Sequence, residues 1–559
     1  MIKKILLLFV LLLGWVVSIQ AQESTEHWLP PIPGEASNNV GVQNLNYSTT
    51  SDVDVNVEVY IGNSTTPDRT LTVPANGTAI ETLTGTATGT RYFAVEYGTV
   101  RSDRGLRIVA DQPIAVDYRF VDAGGAQADL IALKGNNARG TVFRLGGSPM
   151  GTTTATYITP SGNFGENDYS HFVSFVALED NTVVNVSGVT EGAVIQGING
   201  GAAVPVGHVE TINLNAGEAF LMRQRYPLSD LANADTWNAL IGALLESDKD
   251  VVVNVGNLHM SPSSTDYARD YGADQIAPVE TMGTEFIFSR GEGFNIRELV
   301  TVVAHTNNTS VFLNGSESEV VTLEAGEYYI VNGGSDDNAT TAYTDEDNLY
   351  IRTTNPATCY QLVDDASGGG QVGMFYVPPL ICTAPRQAFI PNTNMINTRT
   401  YNTILMIVTR SEGELTINGA PLQDYLTAGT VTNYGTNDIN GHYVNGSTNF
   451  VSYKLAGSAL TGDILVESTR DLYCGLLGAA GFANYGGFYS GFAPEIFLSI
   501  EETACLPQVL DVGDDLFDGY RWFRNNVQIE GADGPTYAVT DGGDYYVIGD
   551  IGGCESVQS

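Results

Sequence analysis

The chain has 559 residues, with 25 Lys+Arg against 64 Asp+Glu and a formal net charge of −39. Such a surface repels polyanions, which excludes nucleic acid, whose phosphates need clustered Lys and Arg, and excludes adhesion to anionic lipid through a basic face. Charged residues make up only 16%, hydrophobic ones 43%, and Gly reaches 62; this is a folded chain with a Thr, Asn, Ser and Gly surface, and about 150 residues per domain gives three or four units.

Residues 1–21 read as a secretory signal peptide. Lys3 and Lys4 form a positive n-region, Ile5 to Leu13 an apolar h-region, and Ser18-Ile19-Gln20-Ala21 ends on a small residue, placing cleavage between Ala21 and Gln22. The alternative, a membrane anchor, needs about 20 apolar residues, and this run is shorter and followed at once by a polar segment. Cleavage removes Lys3 and Lys4 and leaves 23 basic residues against 64 acidic ones, a charge of −41. No later segment is long and apolar enough to cross a bilayer. The mature chain is therefore expected outside the cytoplasm, where disulfides are permitted.

From there on, strand signals dominate: Val, Ile, Thr and Tyr in short alternating runs bounded by Asn, Asp and Gly. Asp52 to Ile61 has one apolar face at period two. Leu228 to Leu245 is the one stretch that suggests a helix, weakly. Two units recur. The first is a hairpin with an Asn-Gly-like turn followed by a strand into an Ala-Gly turn: 181–188 with 214–218, 308–315 with 323–329, and 412–419 with 426–429, with 57–77 as a fainter copy. Glycine supplies the positive φ of such turns. The second is a strand, a tight turn often holding Pro, and another strand. It begins at Ala110, Ser247, Thr353 and Ser468, roughly 105–137 residues apart.

These repeats predict an all-β chain of tandem degenerate antiparallel β-modules, sandwich-like or alternatively propeller-like. The expected divisions are 22–146, 147–290, 291–392 and 393–500, followed by a different module at 501–559. In that last segment Cys505, Trp522 and Cys554 fall in the order and spacing of an immunoglobulin-like sandwich, with strands at Gly519–Phe523, Thr536–Val539 and Asp544–Val547. It resembles the small immunoglobulin-like repeats of bacterial surface proteins, although Gly552 stands where a tyrosine corner would place Tyr. The resemblance implies a Cys505–Cys554 disulfide, and such a closure typically adds about 2–4 kcal/mol. Five residues after Cys554 leave no room for a further edge strand, so the module is expected to be truncated. Cys359 and Cys474 occupy equivalent repeat positions; Cys382 is expected to pair with one or the other, and the sequence does not choose between them. None of the cysteines forms a CxxC.

The body also resembles the IgGFc-binding domain family. Asp274-Gln-Ile-Ala-Pro-Val279 with Gly283-Thr-Glu-Phe286, Gly373-Met-Phe-Tyr-Val-Pro-Pro-Leu-Ile-Cys382, Phe389-Ile-Pro-Asn392 and Ile417-Asn-Gly419 carry the resemblance over about 170–500, and His27-Trp-Leu-Pro30 looks like the family's start. These motifs are structural turns. A signal peptide, this domain and an immunoglobulin-like module together look like a cell-surface or type IX-secreted adhesin.

No catalytic or cofactor-binding residue is assigned. His27, His171, His208, His259, His305 and His442 are scattered, without H-E-x-x-H or metal-ligand spacing, and read as structural or surface residues. There is no G-x-S-x-G elbow and no P-loop; Gly475-Leu-Leu-Gly-Ala-Ala-Gly481 follows a strand but opens no helix, so close backbone packing accounts for it. Asp336-Asp337 with Asp345-Glu-Asp347, Asp364-Asp365 and Asp511 to Asp518 offer oxygen ligands to Ca²⁺, but none keeps EF-hand spacing, and solvated acidic loops are the expected reading. Tyr is common at 28, and Tyr485-Gly-Gly-Phe-Tyr-Ser-Gly-Phe492 reads either as a contact surface or, preferably, as core. The function expected is a non-enzymatic, secreted or surface-attached binding protein for an extracellular glycoprotein, immunoglobulin or polysaccharide. The rivals are an extracellular carbohydrate-active enzyme using two carboxylates, and a structural component of a matrix or motility apparatus.

Overall fold

The computed structural model describes residues 22–555 apart from 35–39, 85–87, 94, 123, 124, 126, 150–169, 226–235, 259–269, 294–297, 332–340, 365–370, 448, 482, 495–497, 501–507, 513–516, 518, 552 and 553. The signal segment through Ala21 therefore lies outside the described residues, as do His259, Asp336, Asp337, Asp365, Cys505 and most of Asp511 to Asp518. The chain divides into two compact units, one running from Gln20 to Glu495 and the other containing Ile496–Ser559.

Among the described residues four sheet systems build the larger unit, the first three each around one long strand. In the first, Leu106–Asp122 is flanked along its first half by Ser24–Leu29 and Val55–Ile61, and along its second half by Val40–Ser48 and Ala128–Ala132. Leu244–Asn257 plays the same part for Gly140–Arg144 and Thr182–Ser187, then for Ser170–Ala177 and Gly272–Ile276. Asn348–Asp364 does so for Gly283–Ser289 and Thr309–Leu313, then for Leu299–Ala304 and Gln371–Val377. The recurring strand-turn-strand unit of the sequence is thus a single strand with an irregular middle. Asp111-Gln-Pro113 and Asn355-Pro356 sit in that middle, where a Pro without an N–H does least harm to the ladders. Only the fourth copy breaks: Ile464–Ser468 pairs with Gln387–Ile390 and Leu415–Ile417, and Leu472–Ala480 pairs with Asn402–Arg410 and Ala483–Phe488. Ser468 marks the break, its hydroxyl accepting from the Arg470 N–H.

The two halves of each long strand see different surroundings. The first half of Leu106–Asp122 alternates buried and partly exposed residues, whereas Tyr118–Val121 is buried without interruption. The reason is a second layer. The strands Ala128–Ala132, Gly272–Ile276, Gln371–Val377 and Ala483–Phe488 pack against one another in cyclic order, the fourth closing on the first. Strands covered on both faces need no polar side, which accounts for runs such as Val251-Val-Val253. Each of the first three sheet systems is folded over its own long strand like a small sandwich, and the four surround a common centre. Their cores merge accordingly: Phe172, Val176 and Leu221 of the second system lie in the first system's apolar cluster, and Tyr360 and Tyr376 of the third lie in the second's.

Glycines set the closest approaches between neighbouring systems. Gly242 has a φ of +87°, and a Cβ there would lie 1.8 Å from the carbonyl oxygen of Gly326 in the next system. Gly315 and Gly446 meet in the same way across the third and fourth systems.

Two expectations are corrected. The helix anticipated near Leu228–Leu245 does not extend into its described part, where turns lead into the strand at Leu244. The α-helix among the described residues is Leu422–Ala428, in place of a hairpin strand of the third repeat copy; Leu422 and Leu426, one turn apart, bury their side chains, and Gly429 caps it at φ +67°. The expected pairing of Cys382 with Cys359 or Cys474 does not form. Both are buried free thiols within strands, facing the apolar clusters of their own systems.

The smaller unit carries two sheets, Ser499–Ile500 with Gln508–Asp511 and Thr536–Val539, and Val527–Gln528 with Gly519–Arg524, Tyr545–Ile551 and Cys554–Glu555. Trp522 is fully buried in its core beside Leu510, Val539 and Val547.

Candidate functional site

The fourth sheet system differs from the others on its outer side. The Leu422–Ala428 helix and the polar turn at 435–441 leave an open groove of about 950 Å³. Leu415, Thr416 and Leu422 form one wall, Val451 and Tyr453 the other, and Asp438, Ile439 and Asn440 the rim. Gly441 lets the rim lie flat on the wall, since a Cβ there would meet the Val451 and Tyr453 side chains at 2.8 Å.

Within this groove Tyr443 is 70% exposed and Ile439 38%. Tyr443 pairs through its backbone with Val451, so its ring projects from a strand and not from a free loop. His442 is held firmly: its ring stacks on Tyr434 at 3.8 Å and 5°, and its Nδ1 lies 3.2 Å from the Glu346 carboxylate and 3.0 Å from the Glu346 carbonyl oxygen. Asp438 accepts from both the N–H and the side-chain amide of Asn440, which fixes the rim turn. Glu346, Glu414 and Asp438 line the groove and no Lys or Arg does. The result is an acidic, half-polar surface with one projecting aromatic ring.

The other residues singled out by sequence are placed as follows. His27 and His171 are buried, their Nε2 atoms 2.8 Å and 3.1 Å from the carbonyl oxygens of Ile114 and Gly146, and burial pushes both imidazoles down to about 4. His208 pairs with Glu210, and His305 lies beside Arg144. Asp347 is engaged by Lys454 and Arg290. Among the described residues no three ligating side chains gather around a metal position. Tyr485, Phe488, Tyr489 and Phe492 are buried, so the Tyr485–Phe492 stretch is core and not a contact surface. Gly478 in the glycine-rich run carries the Tyr485 ring, where a Cβ would come within 2.2 Å. Gln22, the first described residue, is buried and donates to the Phe488 carbonyl oxygen at 3.1 Å.

Sequence reading missed Tyr443, Ile439 and Glu414. The available signal was the polar, glycine-bounded run 435–441 followed by His442-Tyr443.

The fold defines an all-β protein with an open groove on its fourth sheet system. The profile of the family described as IgGFc binding protein matches residues 147–456, which includes every residue lining this groove, and the chain belongs to that family. No curated protein matches the chain. Among solved structures it is similar to Salmonella alpha-2-macroglobulin reacted with methylamine (8% identity, TM-score 0.14, 97% of this chain and 39% of that one). It is also similar to Escherichia coli alpha-2-macroglobulin activated by porcine elastase (8%, 0.13, 93% and 49%) and to the native E. coli form (7%, 0.16, 95% and 39%). The chain spans less than half the length of these proteins, and at such TM-scores the likeness does not extend to the fold.

Proposed function

We propose that this chain is an exported, non-enzymatic binding protein, secreted or held at a bacterial cell surface, that recognises a glycoprotein, an immunoglobulin or a polysaccharide. The observation that carries this reading is the acidic groove with its projecting Tyr443 ring. Tyr offers a large amphipathic contact at small entropic cost, and the surrounding amides and carboxylates supply directional hydrogen bonds. Membership of a family described as a binding protein supports it, as does the export signal expected of residues 1–21.

The test is a glycan and glycoprotein array, immunoglobulin included, probed with the mature chain and with Tyr443→Ala. Retention of one ligand class by the wild type, weakened about tenfold or more by the substitution, is the expected result. Absence of any retained ligand, together with turnover of a polysaccharide, overturns the reading in favour of an enzyme.

A further inference from the structure

We propose that Lys134 and Asp274 join through an intramolecular amide bond between Nζ and Cγ, formed by the folded chain itself. Lys134 follows the inner strand of the first sheet system and Asp274 lies in the inner strand of the second, 140 residues apart in sequence. Both side chains are buried, and Nζ stands 2.7 Å from Asp274 Oδ1. An amine hydrogen-bonded to one carboxyl oxygen lies about 3–3.5 Å from the carboxyl carbon, the separation of a near-attack arrangement.

The surroundings hold both partners in place. The Lys134 backbone N–H donates to Gln275 Oε1 at 2.7 Å, so consecutive residues grip both ends of the lysine. The Tyr376 and Phe492 rings lie 5.9 Å and 5.7 Å from Nζ and help to line an apolar pocket. Burial pushes the Lys134 ammonium down and the Asp274 carboxyl up, each towards the uncharged form that amide formation requires. The Tyr376 N–H donates to Asp274 Oδ2 at 2.9 Å and the Gln275 N–H to Oδ1 at 2.7 Å, donors able to stabilise charge building on the carboxyl during attack. A second fully buried pair among the described residues, Arg119 with Asp117, offers no comparable nucleophile.

The step balances without a co-reactant. The neutral amine attacks Cγ of the protonated carboxyl, and the N–C bond forms. One Nζ proton passes to the departing hydroxyl, the C–O bond breaks, and one water leaves; the second Nζ proton remains on the amide.

The test is the intact mass of the natively produced chain, denatured and fully reduced, followed by tryptic mapping. The expected mass is lower than the sequence mass by one water, with a branched peptide joining Lys134 to Asp274 and no cleavage after Lys134. Lys134→Arg and Asp274→Ala restore the full mass, and Asp274→Asn loses ammonia in place of water. A wild-type chain of full mass, cleaved normally after Lys134, overturns the proposal and leaves an ion pair only. So does a water loss mapped to any other residue. Because the bond is read in the wild-type chain, a variant that misfolds leaves the result unchanged.

Discussion

The buried centre of the larger unit and the outer groove both draw on Asp, Asn and Tyr and put them to opposite uses. In the centre the buried carboxylates are tied to particular neighbours, several of them backbone N–H groups. Asp270 accepts from the N–H groups of Ala128, Tyr271 and Asn484, joining three sheet systems, and Asp129 accepts from Ala273. Arg119 binds Asp117, the Tyr489 hydroxyl and the carbonyls of Pro391 and Asn392, tying the first system to the fourth. In the groove the polar groups are held by fewer partners, and Tyr443 faces solvent. The centre therefore carries specificity of assembly, since a buried polar group must be satisfied by a particular neighbour, and the groove leaves polar groups open to solvent.

The sharpest way to break that contrast is Arg119→Met. It strands the Asp117 carboxylate among neutral partners, and a loss of about 3–5 kcal/mol in urea-unfolding stability is expected; adding Asp117→Leu recovers part of it. Gly242→Ala tests the seam between the second and third systems. It combines a left-handed backbone with a clash against Gly326, costing about 2–4 kcal/mol. Gly462→Ala, at φ +72° with open space around it, costs the backbone part alone, about 1–2 kcal/mol in the same assay.

Glu298 gives a pH-dependent version of the test. Burial pushes its carboxyl up to about 7, against the pull of the N–H groups of Asp364 and Gly291. A carboxyl raised in the folded state contributes most below the unfolded value near 4.5, and that contribution fades as pH rises through 7. Relative to wild type, Glu298→Gln should therefore gain up to about 3 kcal/mol between pH 4.5 and 8, read as a converging or crossing pair of urea midpoints. The smallest effect on stability is expected for Tyr443→Ala, within about 0.5 kcal/mol of wild type, although it is the substitution expected to weaken ligand retention about tenfold or more.

Much of the local architecture was legible. The alternation in Asp52–Ile61 becomes a strand from Val55 with Val55, Val57 and Val59 inward. Asn418-Gly419 closes a two-residue hairpin with φ of +49° and +74°, as the dipeptide predicts. The groove was far less legible, because Glu346, Glu414, Asp438 and Tyr443 come from separate stretches and share no spacing. The tyrosine-rich stretch was legible as core, and the structure supplies the reason: Gly478 makes room for the Tyr485 ring, and Phe375 packs edge-on against Phe488.

The sequence by itself determined the β class, the fourfold repetition, the hairpin chemistry and the family resemblance, since each rests on periodicity or on turn residues a few positions apart. The tertiary structure alone decided that the repeats share one centre, that Lys134 meets Asp274, and that the fourth system opens a groove. Those outcomes depend on which buried donors and acceptors find each other across more than a hundred residues, and local pattern carries no information about such encounters.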